Sequence, residues 1–382
     1  MGAALAVLII KWRQLWTLPP AATPFKRSAL ALVAIAVATT PFSIWPGASV
    51  QFLYQQLPVL LAAVIVACKV CSSWRVLARI IRGLIIAALV LALTAIRSFH
   101  GGRAESAASY DPNDLAYMLV SVMPLALGFV LTSTTRMKRL VNGGVFAVVV
   151  LATLLTGSRG GFLGLLAVLA CLVLLPIKRP TGGKARRRII PSLLGLLCVG
   201  CVVWPYLPAE TRERLASIVQ LGTDYNSDTS NLNGRASIWQ RSFNSALQRP
   251  VGYGSNSFAM VDLRTGGRFR APHNSYLEAL VELGFLGLFL FVRMYVLSWR
   301  ALQRSRRSLL AAAASRERDA QLVFARMLQA ALAGNAVAGF FLSMAYSTLL
   351  WTLFALVIAM VSLVAAGAPA PALPRAIRSD DG

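Results

Sequence analysis

Apolar runs of about 17–25 residues recur along this chain, and each is long enough to cross a bilayer as a helix. No other feature constrains the fold as strongly. Of the 382 residues, 57% are hydrophobic and only 14% are charged, whereas soluble proteins are roughly one quarter charged. The sequence therefore predicts an all-α polytopic membrane protein with about 10–12 transmembrane helices.

Ten spans can be placed on these runs. They are 28–45, 50–68, 82–98, 113–134, 140–157, 161–177, 189–207, 275–298, 326–345 and 347–366. Whether residues 1–18 form a span is left open, because the apolar run MGAALAVLII is short for one. A signal peptide is not indicated, since no basic residues precede this run. We expect residues 1–366 to form a single transmembrane domain and the Pro- and Ala-rich tail 367–382 to be disordered in the cytoplasm.

Basic residues gather in the short loops between spans. The formal net charge of +24 could suggest a nucleic-acid partner, but clusters such as Lys26–Arg27 and Arg186–Arg188 alternate with the spans and fall on one side. The positive-inside rule makes that side cytoplasmic. The expected surroundings are therefore a bilayer, and no nucleic-acid partner is predicted.

The opposite side carries one large segment, residues 208–274, which we expect to be an extracytoplasmic loop. Unlike the purely basic loops, this segment mixes carboxylates with arginines. Two amphipathic helices are predicted within it, near 210–221 and 235–248. The apolar face predicted for the second helix consists of Ile238, Trp239, Phe243, Ala246 and Leu247.

One arginine lies where the charge rule does not expect it. Arg159 occupies the glycine-rich turn of the stretch LLTGSRGGFLGLL, between two apolar runs and on the outward side. A guanidinium at membrane depth costs a few kcal/mol unless it is paired or near water. An arginine that extends to the headgroups would explain an isolated case. A binding role is favoured because other polar residues collect on the same side.

His273 is the second outward residue of interest. It precedes a helix whose start is predicted at Ser275, because Ser275-x-x-Glu278 has the spacing of a capping box. The positive end of that helix should keep the imidazole neutral at pH 7 and able to accept a proton. Taken alone, a loop histidine is more often an ordinary surface residue.

Two more arginines face outward. Arg235 opens the second amphipathic helix, and Arg103 lies in the outer loop before the segment Asp111–Asp114. Asp and Asn favour helix starts, so capping explains most of that segment. Either arginine alone has an ordinary explanation as a solvated side chain.

The cysteines include two CxxC pairs, Cys68 with Cys71 and Cys198 with Cys201. This spacing can hold a metal. The second pair lies inside an apolar run, where cysteine usually fills helix packing. No DxD-like carboxylate pair stands out on the outward side either, so no metal site is predicted.

Three of these stretches occur in an order typical of one family. SRGG at 158–161 is followed by GR…IW…P.G.G at 234–254, and then His273-Asn274 precedes Gly284-x-x-Gly287 by nine residues. Over about residues 97–300 the chain thereby resembles the superfamily of O-antigen ligases and O-antigen polymerases, bacterial envelope glycosyltransferases. The two glycines of the last motif would allow close helix approach.

The resemblance implies an activity and a site. In that family a glycan moves from a polyprenyl diphosphate carrier to an acceptor hydroxyl at the periplasmic face of the inner membrane, without a nucleotide sugar, metal or other cofactor. The implied catalytic residues are His273, Arg159 and Arg235. The implied substrate-binding residues are Arg103, Ser158 and Asn274.

Several alternatives stay open from the sequence. A ligase and a polymerase differ in acceptor, which is a lipid- or glycan-linked hydroxyl, and other polysaccharide assembly proteins are possible partners. A transporter is the main alternative from another class, although the predicted spans are almost uncharged in their interiors, unlike those of transporters. A purely structural scaffold is the third.

Overall fold

The computed structural model describes residues 23–99, 103–105, 111–174, 205, 208–216 and 234–367. Every regular element within these ranges is helical, as the sequence predicts. The expected span 189–207 lies outside the described residues except for Pro205, as do residues 1–18 and the tail after Gly367.

Thirteen α-helices lie within the described ranges. They are α1 (Thr23–Thr39), α2 (Pro46–Gln51), α3 (Leu57–Val70), α4 (Trp74–Arg97), α5 (Pro112–Thr132), α6 (Arg136–Leu155), α7 (Arg159–Leu174), α8 (Ala209–Ala216), α9 (Arg235–Gln248), α10 (Phe258–Arg264), α11 (Ser275–Ala311), α12 (Arg316–Gly339) and α13 (Thr348–Ala366).

Eight segments in the described part of the chain are long and apolar enough to cross a membrane, and α7 is a shorter apolar helix beside them. Helices α2 and α3 form one such segment, joined by the π-helical turn Phe52–Gln56. These helices confirm a multi-pass, all-α membrane protein. The last two spans are separated by more than the tight turn at 346 that the sequence suggested, because α12 ends at Gly339 and α13 begins at Thr348.

Successive spans alternate in direction, so the basic clusters of the short connections between spans lie at one end of the bundle. They lie at the starts of α1, α4 and α6 and near the ends of α3 and α11. We name this the inner end, following the positive-inside rule. The opposite end, the outer end, carries the turns after α6 and α12 and the segment 234–274.

Two arginines do lie within the spans, against the expectation of uncharged interiors. Arg293 of α11 donates a hydrogen bond to the hydroxyl of Ser28, and buried Arg326 of α12 donates to the carbonyl of Leu172. Both therefore have an oxygen acceptor on a neighbouring helix, which lowers the cost of their burial.

Helices α5, α7 and α12 pack together at the centre of the bundle. Small residues allow this approach: a Cβ built on Gly161 of α7 would lie 2.5 Å from the Cβ of Ala116 on α5. About one turn later on α7, a Cβ on Gly164 would lie 3.0 Å from the carbonyl oxygen of Gly334 on α12. Close packing of small residues is the usual stabilising contact between helices in lipid.

This packing leads to a prediction for Gly161, the second glycine of SRGG. Gly161→Ala should destabilise the protein by about 1–3 kcal/mol, since the added methyl overpacks a closed contact. The matched control is Gly144→Ala in α6, where a Cβ meets nothing within 4 Å. The control should be neutral or slightly stabilising, because alanine favours a helix over glycine. Thermal unfolding of the purified proteins compares the two; equal melting temperatures would contradict the packing argument.

Candidate active site

The turn between α6 and α7 places Arg159 at the outer end. Gly157 adopts a left-handed conformation with φ +57°, which reverses the chain after α6. The hydroxyl of Ser158 accepts the N–H of Gly161 at 3.3 Å and so caps the start of α7. Arg159 is the first residue of α7 and is half-buried. The sequence SRGG therefore forms a capped helix start that holds an arginine at the outer end of the bundle.

Arg159 lines a cavity of about 110 Å³ together with three other arginines. The complete lining consists of Arg103, Asn113, Gly157, Ser158, Arg159, Gly160, Arg214, Arg235, Phe341 and Leu342. Four guanidinium groups thus surround one small space, and no carboxylate is among its lining residues. A space of this kind attracts an anion, because guanidinium groups match the oxygens of phosphates and carboxylates.

Arg103 is held in place by two hydrogen bonds. Its Nε donates to the carbonyl of Thr156 at 2.9 Å, and its Nη2 donates to Oδ1 of Asn113 at 2.7 Å. Asp111 caps α5 by accepting the N–H groups of Asn113 and Asp114, as the sequence predicted. These contacts fix the guanidinium of Arg103 beside the turn that carries Arg159.

Arg235 begins α9, whose predicted bounds 235–248 are confirmed. Trp239 ties this helix to the segment before α11 by donating its indole N–H to the carbonyl of Pro272 at 2.8 Å. The apolar face is narrower than expected, because Ile238 and Ala246 are buried whereas Phe243 and Leu247 are exposed. The buried face instead includes small serines that allow close packing.

His273 is not among the residues that line the arginine cavity, although the charge of Arg235, which does line it, acts on the imidazole. Its backbone is left-handed, with φ +46°, and its N–H donates to the hydroxyl of Ser343 at 3.0 Å. The pKa of His273 is lowered from its ordinary value, first by burial of the ring and then by the positive charge of Arg235. The carboxylate of Asp111 acts in the opposite direction, and the positive charge of Arg270 adds to the lowering. A neutral imidazole was predicted from the helix end, and the structure adds burial and the arginine charges as causes.

The start of α11 differs from the predicted capping box. Asn274, not Ser275, is the N-cap: its Oδ1 accepts the N–H groups of Tyr276 and Leu277 at 2.9 and 3.1 Å. Glu278 accepts the N–H of Ala345 in the outer turn at 2.9 Å. The capping-box interpretation was wrong because asparagine one residue earlier is an equally good cap, which leaves the Glu278 carboxylate to the neighbouring turn.

The start of α11 also holds in place the outer turn between α12 and α13, which contributes to the cavity lining. The hydroxyl of Ser275 donates to the carbonyl of Leu342 at 2.7 Å and accepts the N–H of Met344 at 2.9 Å. Leu342 in turn lines the cavity. Asn274 and Ser158 thus have structural roles as caps, and a substrate contact for either of them stays a prediction.

Helix α11 is broken at Gly284, which has φ +73° and ψ −173°. The loop 250–254 docks into the break: Tyr253 and Gly254 donate their N–H groups to the carbonyls of Val281 and Glu282, both at 2.9 Å. Phe285 donates its N–H to the carbonyl of Pro250 at 3.0 Å. The glycine therefore admits a loop rather than the neighbouring helix that the sequence suggested.

Gly287 is also needed for the break in α11. A Cβ built at this position would collide with the side chain of Leu283, one turn earlier on the kinked helix. The predicted role in close helix approach is therefore wrong for Gly287 as well. Both glycines permit a change of direction, and a sequence motif alone does not distinguish this from helix packing.

Buried Glu282 secures the segment that follows the loop. Its Oε2 accepts the N–H of Asn256 at 2.8 Å and its Oε1 accepts the N–H of Phe258 at 3.1 Å. Phe258 begins α10 and packs with Ile238 of α9 and Val281 of α11. The carboxylate thus ties the start of α10 to α11, and apolar packing links α9, the helix that begins at Arg235, to both.

Two lining residues with polar side chains were not predicted as site residues. Arg214 comes from α8, which covers residues 209–216 of the amphipathic helix expected near 210–221; residues 217–233 lie outside the described ranges. Asn113 was assigned to capping alone. An outer-loop arginine on an amphipathic helix was the available signal for Arg214, whereas nothing in the sequence marks the amide of Asn113 as a cavity group.

Metal ligands do not cluster in the described part of the chain: no three His, Cys, Asp or Glu residues there could hold an ion. Cys71 and Cys171 are buried free thiols. The CxxC pair at 198 and 201 lies outside the described ranges.

The fold and this site define a multi-pass membrane protein with an arginine-lined cavity at the outer end of its helices. Residues 144–292 match the family model Wzy_C, described as O-Antigen ligase. The match confirms the predicted resemblance to the O-antigen ligase and polymerase superfamily of bacterial membrane glycosyltransferases. The matched range contains Arg159, Arg235 and His273, while Arg103 precedes it.

One similar solved structure, described as "Structural coordination of polymerization and crosslinking by a peptidoglycan synthase complex", contains a chain that is 21% identical to this one. The similarity covers 91% of this chain and 98% of that chain, with a TM-score of 0.44. No curated protein matches the sequence.

The anchoring role of Glu282 can be tested by measuring the free energy of unfolding of a variant. Glu282→Gln replaces one acceptor oxygen by an amide donor that would face a backbone N–H, so we expect a loss of about 1–3 kcal/mol, the usual cost of a buried donor left without its acceptor. Glu317→Gln on the exposed start of α12 is the matched control and should change little. Chemical or thermal unfolding in detergent measures both. A Glu282→Gln protein as stable as wild type would contradict the anchoring role.

Proposed function

We propose that this protein transfers an oligo- or polysaccharide from a polyprenyl diphosphate carrier to an acceptor hydroxyl at the periplasmic face of the inner membrane. One observation carries the proposal: Arg103, Arg159, Arg214 and Arg235 line a single cavity whose other lining residues carry no charge. These arginines come from four separate segments of the chain. The match to the O-antigen ligase family supports the same reaction class.

A diphosphate fits this cavity chemically. Arginine stays protonated and its planar fork pairs with phosphate oxygens, so it binds the leaving group without needing a proton transfer. As the glycosyl bond breaks, negative charge grows on the oxygen that stays with the diphosphate. Fixed guanidinium groups stabilise that charge in advance of the reaction, which is the largest contribution in many enzymes.

The proposed reaction is a direct displacement. The acceptor oxygen attacks the anomeric carbon, the bond from that carbon to the diphosphate oxygen breaks, and the polyprenyl diphosphate leaves as an anion. His273 takes the proton of the acceptor hydroxyl and later releases it to water. Because one displacement occurs, the configuration at the anomeric carbon inverts. A neutral imidazole suits a general base.

The cavity also explains why the proposed reaction would not need a metal. Divalent cations usually neutralise the diphosphate of a glycosyl donor, and here four arginines supply positive charge at the same place. Arg159 and Arg235 are assigned to the diphosphate and to transition-state stabilisation. Arg103, and the newly found Arg214, are assigned to binding.

A transporter is less well supported than this enzyme. The residues that line the arginine cavity belong to outer turns and outer helix ends, rather than to the middle of the spans. A transporter would place its polar residues near the bilayer midplane. The family match also favours glycosyl transfer.

The site is tested by glycan transfer from a lipid-linked donor with the purified full-length protein. Arg159→Gln and Arg235→Gln should each lower kcat by about 10²–10³-fold, the range seen when one preorganised donor is lost. His273→Ala should lower kcat by about 10²–10⁴-fold, as expected for a general base. Wild-type turnover should persist in EDTA.

The matched control is Arg264→Gln, an exposed arginine on α10 in the same outer segment. It removes one positive charge without touching the cavity and should keep wild-type turnover. Full turnover in all three site variants would remove the proposed site. A strict requirement for added divalent metal would count against the mechanism.

The acceptor is resolved by the products that accumulate when the gene is deleted. Lipid-linked single repeats would identify a polymerase, which extends the carrier-linked chain. Long chains left unattached would identify a ligase, which joins a finished chain to a lipid-linked acceptor.

The pH dependence gives an independent test of His273. Its lowered pKa keeps the imidazole unprotonated to more acidic conditions, so the acid limb of kcat/KM should lie below the ordinary histidine value of about 6.5. Arg235→Gln removes a charge that lowers the pKa and should move the limb to higher pH. Asp111→Asn removes the opposing carboxylate, preserves the cap, and should move it to lower pH. A limb unmoved in both variants would exclude His273 as the titrating base.

A further inference from the structure

A second cavity, of about 350 Å³, opens at the inner end of the bundle between α4, α5 and α6. We call it the inner groove. Its lining consists of Arg82, Ile85, Ile86, Leu89, Ala126, Phe129, Met137, Lys138, Val141, Asn142 and Val145. None of these residues takes part in the candidate active site, which lies at the opposite ends of α5 and α6.

The inner groove is polar at its mouth and apolar below. Helices α4 and α6 both start at the inner end, so Arg82 and Lys138 precede the apolar residues that line the same groove. Leu89 and Val145 each lie seven residues further along their helix, which is about 10 Å deeper at 1.5 Å per residue. An amphipathic groove of this depth fits an acyl chain beneath a charged headgroup.

The mouth of the inner groove is purely cationic. Helices α4 and α6 contain no acidic residue, and none lines the groove. The guanidinium carbon of Arg82 lies 4.8 Å from the centroid of the Phe129 ring, a cation–π contact that holds the charge over the floor. The amide of Asn142 donates to the hydroxyl of Ser133 at 2.9 Å and fixes one wall.

We infer that the inner groove binds one anionic phospholipid of the cytoplasmic leaflet. Its phosphate lies between Arg82 and Lys138, and one acyl chain follows the apolar residues toward Leu89 and Val145. Basic pockets between membrane helices on the cytoplasmic side recognise such headgroups. The polyprenyl carrier is the weaker occupant, because its diphosphate would have to lie at the inner end, opposite the arginine cavity.

Native mass spectrometry of the full chain in detergent tests the inference. Phosphatidylglycerol should bind wild type more tightly than phosphatidylcholine with the same acyl chains. The double variant Arg82→Gln/Lys138→Gln should bind phosphatidylglycerol about 30-fold more weakly, since each cation near an anionic headgroup contributes about a fivefold effect. Equal affinity of wild type for the two lipids would overturn the inference.

The matched control removes two cations from the same helices. Arg75→Gln/Arg136→Gln changes exposed residues that do not line the inner groove and should retain wild-type affinity. An equal loss in this control would overturn the inference, because the charge effect would then belong to the whole inner surface.

A second pair of variants tests the apolar part. Val141→Trp fills the inner groove and should abolish the bound phosphatidylglycerol, whereas Leu140→Trp, on the same exposed part of α6 but outside the groove, should not. Both positions are exposed, so neither bulky side chain disturbs the core. Equal lipid binding by the two variants would overturn the inference, as would tighter binding of polyprenyl phosphate than of phosphatidylglycerol at the same residues.

Discussion

The docking of loop 250–254 into the break of α11 is the contact on which the outer half of the structure depends. The helix is non-helical at Gly284, and three backbone hydrogen bonds join the loop to the helix on either side of the break. Unsatisfied peptide groups are costly at membrane depth, so break and loop stabilise each other. Glu282 then anchors the segment that follows. The helix that begins at Arg235 is held by these contacts, and the position of its guanidinium follows from them.

Anchored arginines give the outer cavity its chemistry. Arg103, Arg159, Arg214 and Arg235 line about 110 Å³. Hydrogen bonds to Thr156 and Asn113 hold Arg103 in place there. A diphosphate gains more from these guanidinium groups than a neutral sugar does, because arginine pairs with phosphate oxygens. The proposed reaction therefore assigns the leaving group, and not the glycan, to the arginines.

Sequence reasoning predicted the parts that follow from local rules and missed those set by tertiary contact. The spans within the described ranges and the helix at 235–248 follow from hydrophobic length and periodicity. The outward position of Arg159 follows from charge placement and stays a prediction. The role of Gly284 was misassigned, because a glycine that permits a helix break has the same sequence signature as one that permits packing. Arg214 was missed because it reaches the cavity through the packing of α8, which no spacing encodes. The cap at Asn274 was displaced by one residue because two adjacent side chains could each cap α11.

Basic residues line a cavity at each end of the bundle, but the residues around them differ, and so do the ligands that each cavity suits. At the inner end, Arg82 and Lys138 line the same groove as a set of apolar residues, so the proposed phospholipid would keep its acyl chain against apolar side chains. At the outer end, the arginines line a small polar cavity together with Phe341 and Leu342. A cationic site above an apolar groove suits a resident lipid that stays in place. A small cavity lined by four arginines suits an anion whose charge changes during a reaction, because fixed guanidinium groups are already in place when the charge develops.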